Sequence, residues 1–256
     1  MAGRRAPGQP APALPAAAGA LEPGLPPGWR SLRKIDCHMH VGLSAHTRDS
    51  GAIVKAADAL GIERMMTSLP IVGGRMPPAS EVRLVNDRVL QAMREHPGRF
   101  LGYCFLFPGY PDAIAEMERC LDEGMIGVKL YNQVRFSNPV VFPIVEKCIR
   151  HGIPLLGHAG RSYDERSRPD QPNRSDADDF CQLAARYPEA MLIHAHVHGG
   201  ADWEWTIKRL RDCPSVYLDT SGSCLDYRTI DEAAGILGHR RLLFGTPNGL
   251  LDMSPT

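Results

Sequence analysis

The chain has no excess of either charge: 29 lysines and arginines balance 29 aspartates and glutamates across 256 residues. Without a basic stripe it lacks the footprint of a nucleic-acid or anionic-membrane partner, which leaves small molecules as the expected ligands. It also lacks any apolar run near the roughly 18 residues that cross a bilayer. No CxxC pair occurs. The seven cysteines, at 37, 104, 120, 148, 181, 213 and 224, are odd in number and suggest no disulfide framework, so free thiols in a cytoplasmic protein are expected. An export signal is missing too. Arg4 and Arg5 come early, but no leucine-rich segment follows, and Pro7, Pro10, Pro12 and Pro15 break the stretch. Ala, Pro and Gly fill most of the first thirty positions, a composition too poor in anchoring side chains to offset ordering entropy. Residues 1–30 are therefore expected to be a disordered Ala/Pro-rich extension, and residues 31–256 a single domain.

What is present, from Arg33 onward, is alternation. Short apolar, β-branched or aromatic runs recur at "RKIDCHMH", "ERMMTSLP", "RFLGYCFL", "MIGVKLY", "IPLLGH", "AMLIHAH", "SVYLDTSG" and "RLLFGT". Helical periodicity fills the gaps. In "SEVRLVNDRVLQAMREH", Val82, Val85, Val89 and Met93 recur at three- and four-residue intervals, Ser80 offers an N-cap, and Pro97-Gly98 ends the segment. Strands alternating with helices make a parallel sheet covered by its crossovers. Eight strands in this length fit a (β/α)8 barrel, which typically takes about 250 residues. An open doubly wound sheet would carry a glycine-rich phosphate loop after its first strand, and "HMHVGLSAHTRDS" holds none. Only ten residues follow Thr246. The barrel is expected to stop before its eighth helix, which exposes the flanks of strands one and eight and favours homo-oligomers through that seam.

The histidines are placed unusually. In "IDCHMHVG", Asp36, His38 and His40 share one strand face. Two imidazoles aimed at one spot are costly to bury unless a metal or hydrogen bonds satisfy them. "IPLLGHAG" ends in His158, and "MLIHAHVHGG" carries His196. Three strands thus end in histidine at one rim, where barrels of this type place their sites. A shared divalent cation (Zn2+ first, Mn2+ or Fe2+ as alternatives) accounts for that better than three separately satisfied side chains. His194, on the parity of His196 but deeper, reads as a core residue or a support behind the site.

Together, "IDCHMHVG", "GVKLY", "PLLGHAG", "LIHAHVHGGADWEW", "VYLDTSG" and "LLFGT" resemble the amidohydrolase-related metal-dependent barrels. Within them the nearest branch is that of the aminocarboxymuconate-semialdehyde decarboxylase type of lyase. The resemblance implies one divalent metal held by His38, His40 and His158, with His196 as the catalytic residue that positions water. The branch also uses a strand-eight aspartate as ligand and base. The aligned residue here is Pro247, which can do neither; Asn248 has the opposite parity and Asp252 lies in the tail. Two readings follow from the resemblance. One is a hydrolase or non-oxidative decarboxylase of a small organic carboxylate or amide-like substrate; the other is a metal-binding barrel disabled by Pro247. The phosphoesterase barrels that also begin with HxH need further ligands for which no matching strand positions exist.

Substrate contacts are expected from Lys129 in "GVKLY", from Arg161 in the polar loop "RSYDERSRPDQPNRS", and from His198. Lys129 has alternatives: carbamylation to bridge two metals, as in some relatives, or pairing with a rim carboxylate. Arg161 offers a guanidinium for a carboxylate. Asp36 is expected to accept from an imidazole N–H or to pair with Lys129.

Overall fold

Eight short strands run parallel in chain order: β1 (Lys34–His40), β2 (Ile62–Ser68), β3 (Phe100–Phe105), β4 (Gly127–Leu130), β5 (Leu155–Gly157), β6 (Leu192–His194), β7 (Val216–Asp219) and β8 (Leu242–Leu243). The structure is a computed structural model that describes residues 28–44, 47–73, 75–160, 173–197, 203–222 and 228–246. Seven α-helices lie between the strands among the described residues: α1 (Ser50–Ala59), α2 (Ala79–Glu95), α3 (Ala113–Asp122), α4 (Phe142–His151), α5 (Ala177–Arg186), α6 (Trp203–Leu210) and α7 (Thr229–Leu237). This is the expected α/β barrel. Most of the expected disordered extension, and the place of any eighth helix, lie outside the described residues. None of the described helices is long and apolar enough to cross a membrane.

Helix ends follow local chemistry. Asp176 and Asp179 form a reciprocal capping box at the start of α5. Pro143 sits in the first turn of α4, where a missing N–H costs nothing, and Gly152 ends that helix at φ 62°. Ser80 does not cap α2. That helix begins two residues earlier than a Ser80 cap would place it, after the extended Pro78, so Ser80 falls inside its first turn. Buried Asn86 holds α2 in place: its amide donates to Phe105 O at 3.0 Å and Glu116 at 2.9 Å, and its oxygen accepts from Phe105 N at 2.8 Å.

Outward strand residues such as Met39, Met65, Val128, Leu155 and Leu218 join the helices in one apolar core. Inside the barrel a smaller cluster of Tyr103, Leu156, Ile193 and Ala195, with Met66 and Leu243 against it, plugs the lower half.

The seam is joined by backbone. Cys37 N donates to Phe244 O at 2.8 Å, and Thr246 N to His38 O at 3.1 Å. Asp36 reinforces the seam, accepting from Thr246 N at 3.2 Å and from the Thr246 hydroxyl. The expectation that Asp36 serves an imidazole or Lys129 is therefore corrected, because its oxygens point across the seam and also take His38 N at 2.9 Å. A register shift between Asp36 and Met39 marks a bulge in β1. Phe244 remains 42% exposed on the seam's outer side.

The cysteine expectation is also corrected. Cys181 on α5 and Cys213 after α6 form a disulfide. Two helices adjacent in the barrel wall bring together thiols 32 residues apart, a proximity no spacing rule contains. Cys37, Cys104, Cys120 and Cys148 are free and buried; Cys224 lies outside the described residues.

Candidate metal centre

β1 delivers His38 and His40 to the interior, with ring centroids 4.9 Å apart and planes nearly perpendicular. The bulge breaks strict alternation ahead of them, yet Met39 still points into the outer core. His40 Nδ1 lies 3.2 Å from both the carbonyl and the hydroxyl of Ser68, on β2. That leaves its Nε2 for the interior.

His158 follows β5 directly and depends on Gly157. A Cβ at Gly157 would stand 2.2 Å from Phe136 Cζ and 2.6 Å from Phe180 Cζ, in the face of two stacked rings. Only glycine lets β5 lie close enough to that pair for the next residue to reach the rim.

His196 reaches the site differently. Ile193 and Ala195 point into the lower plug, so simple alternation would send both His194 and His196 outward. His194 does go outward and packs on Phe180, 4.7 Å between rings. His196 adopts φ 72°, a left-handed conformation that is unfavourable for a side-chain-bearing residue and must be held by its surroundings. The hold comes from Asp219, whose carboxylate accepts from His196 N at 3.0 Å. The ring then turns inward, with Nε2 2.9 Å from His158 Nδ1 and Nδ1 2.7 Å from Ser221 Oγ.

Asp219 organises the rim. Fully buried at the end of β7, it accepts from His38 Nδ1 at 2.8 Å, from Ser221 N at 2.9 Å and from the Ser221 hydroxyl. A histidine that gives its Nδ1 proton to a carboxylate presents Nε2 to a metal. At present His38 Nε2 faces Lys129 Nζ, 3.0 Å away. Gly245 backs the same spot, since a Cβ there would meet His38 Cβ at 3.0 Å.

Burial sets the charge states. It drives His38, His158 and His196 well below the ordinary histidine range. It takes His40 down to about 3, with the Lys129 charge as the next cause. Lys129 itself is pushed down to about 7 by burial, against the pull of Asp219. The site is thus four neutral imidazoles beside an amine that titrates near neutrality. Tyr131 stacks on His158, 4.1 Å between centroids, with its phenol pushed up to about 12 by burial.

The structure brings together His38, His40, His158, His196 and Lys129. Arg161, His198, Pro247, Asn248 and Asp252 lie outside the described residues. The guanidinium whose charge reaches Tyr131 and His158 is Arg174. Asp219 and Ser221 stand outside the sequence expectations, although "VYLDTSG" contains both. A buried acid closing a strand at the histidine rim was the available signal.

A family model described as amidohydrolase matches residues 35–246. The chain belongs to the amidohydrolase family. Its solved structural neighbours include 2,6-dihydroxybenzoate decarboxylase from Rhizobium, at 18% identity and TM-score 0.64 over 86% of this chain and 91% of that one. They include 5-carboxyvanillate decarboxylase from Novosphingobium aromaticivorans with bound manganese, at 15% identity and TM-score 0.67 over 87% and 89%. A third is 4-oxalomesaconate hydratase from Rhodopseudomonas palustris, at 18% identity and TM-score 0.62 over 84% and 82%. At these identities the likeness shows the fold. No curated protein matches this chain in sequence.

The residues of this amidohydrolase rim fit a divalent cation. Ligand atoms of His38, His196 and Asp219 lie within 4.8 Å of one another, and neutral imidazoles are the form that binds metal. Two donor sets share His38: this one and the His38, His40, His158 set implied by resemblance. Asp219 accepts from His38 Nδ1, His196 N, Ser221 N and the Ser221 hydroxyl, the contacts of a group that orients the rim.

Proposed function

We propose that the protein is a metal-dependent carboxy-lyase or hydrolase acting on a small organic carboxylate or amide-like substrate. The observation that carries this reading is the convergence of four neutral imidazoles at one barrel rim, His38, His40 and His196 buried and His158 half-buried. In it, His38, His40 and His158 hold one divalent ion, Zn2+ ahead of Mn2+ or Fe2+. Bound there, such an ion would supply Lewis-acid polarisation of the reacting group and stabilisation of developing negative charge. Family neighbours that act on aromatic carboxylates, one crystallised with 2,6-dihydroxybenzoate, support a carboxylate substrate.

The chain's own residues have distinct tasks. Asp219 keeps the Nδ1 proton of His38 and fixes the ring. His196, held through Nδ1 by Ser221, presents Nε2 beside His158 and positions water or substrate. Lys129, titrating near neutrality, can hold or release a proton at Nζ. Arg161 and His198 are our candidates for further substrate contacts. The exposed Phe244 suits association of copies at the seam.

A second reading is a metal-binding barrel without turnover. It is favoured by Pro247, where the resemblance implies an aspartate base. The test separates the two. Protein loaded with Zn2+ or Mn2+ is assayed for CO2 release and hydrolysis on aromatic and unsaturated carboxylates, amides and lactones. The first reading expects turnover that disappears in His158→Ala. Stoichiometric metal with no turnover, and activity gained in Pro247→Asp, would establish the second.

A further inference from the structure

On the barrel flank, between the exit of β1 and α2, lies a cavity of about 490 Å3 whose wall includes Val41, Gly42, Arg48, Ser50, Arg88 and Glu95. Cavities of this size accept small-molecule ligands. It is separate from the imidazole cluster, since Val41 packs in the outer core while His40 faces the interior.

Two arginines and one carboxylate line this cavity, and what sets the arginines apart from other unpaired ones such as Arg150, Arg186 and Arg240 is that they face a common cavity. Arg33, Arg75, Arg94, Arg99, Arg119 and Arg209 each have a carboxylate within 4 Å. Arg48 and Arg88 have none among the described residues, and both are exposed. The cavity's own acid is turned into its wall: Glu95 accepts from Gln91 Nε2 at 2.7 Å and from Ser50 Oγ at 2.9 Å. Those two hydrogen bonds, Gln91's first, hold its carboxyl below the usual range. The lining therefore carries two positive charges against one negative charge that is already hydrogen-bonded. The end of α1 adds little, because Asp49 takes the amides of Gly51 and Ala52. The guanidiniums supply the attraction, and their planar forks suit the paired oxygens of a carboxylate or phosphate.

We propose that this cavity is a binding site for a small oxyanion, carboxylate or phosphate, held between Arg48 and Arg88. The site is independent of the metal centre and of the function proposed for it.

The experiment is titration calorimetry on the full chain with two probes, sulfate for the tetrahedral class and succinate for the carboxylate class. Both are run in chloride buffer of matched ionic strength. One anion is expected to bind with unit stoichiometry, and the tighter probe names the class. Loss of the charge-assisted hydrogen bonds in Arg48→Gln/Arg88→Gln should weaken it about ten- to hundredfold. Glu95→Gln removes the opposing charge and should tighten it, a readout that survives if the double variant folds poorly. His158→Ala should leave it unchanged. The proposal is overturned if neither anion binds, if Glu95→Gln weakens binding or leaves it as it was, or if His158→Ala abolishes it.

Discussion

In the lower interior of the barrel, Tyr103, Leu156, Ile193 and Ala195 close on one another, with Met66 and Leu243 against them. Nearer the rim, the same interior holds His38, His40, Lys129 and His196, all nearly as well buried. The lower cluster stabilises the fold through apolar area removed from water, at about 25 cal/mol per Å2. The upper cluster does the reverse, because every one of its bases has its charged form disfavoured by burial. The contrast sets the two halves apart: one half of the interior is packed for stability, and the other bears a desolvation cost of the kind that functional sites carry.

Acidification should separate the halves most strongly. The four rim histidines have folded-state pKa values below the unfolded value of about 6.5, so below that pH the unfolded chain binds more protons. Their stability is complete above pH 6.5 and is lost as pH falls. From pH 7.5 to 5.5 the four together lose roughly 5–6 kcal/mol. Asp36 opposes this, because burial raises its carboxyl to about 7 and it regains about 2 kcal/mol over the same interval. Lys129 adds a loss of about 1 kcal/mol. Urea unfolding should show a net loss of roughly 4–5 kcal/mol; a flat profile would mean the imidazoles are hydrated.

Lys129→Met makes the upper layer resemble the lower. Lys129 is lowered to about 7, so its penalty applies below the unfolded value of about 10.4 and is nearly complete by pH 7. Removing it should stabilise the protein by about 3–4 kcal/mol at pH 7.5 and abolish the stability slope between pH 7 and 10. It should also free His38 Nε2 and strengthen metal binding. A less stable variant at pH 7.5 would show that the amine is compensated within the site.

The disulfide lies in the wall, away from both halves. Opening the Cys181–Cys213 link, which spans 32 residues, should cost roughly 3–4 kcal/mol on the loop-entropy account. Cys181→Ser and reduction of the wild type should give the same loss without adding, checked by thermal unfolding with and without a dithiol. Gly157→Ala should cost less, about 1–3 kcal/mol from overpacking against Phe136. Because it displaces His158, its loss of metal affinity should exceed what its stability loss suggests.

What could be read from the chain was whatever repeats locally. Eight strand-like runs and helical periodicity carry the barrel, and HxH with the strand-ending His158 and His196 carries the imidazoles of the rim. What could not be read depends on departures from regular geometry. Asp36 is taken by Thr246 across the seam, beside a register shift in β1. The left-handed backbone of His196 reverses the alternation that parity assumes, so His194 and His196 face opposite ways. Contacts between distant elements were equally hidden: Asp219 with His38 across the barrel, and Cys181 with Cys213 between neighbouring helices.

The central claim is that the polar upper layer is a metal cage. Zn2+ titration against a competing chelator, with elemental analysis of the purified protein, tests it most directly. The account predicts about one equivalent bound through an open set of three histidines, with binding lost in His38→Ala and His158→Ala. Asp219→Asn should weaken it about 10–100-fold, as expected of a group that only orients a ligand. Absence of metal, or binding indifferent to His38→Ala and His158→Ala, would contradict it.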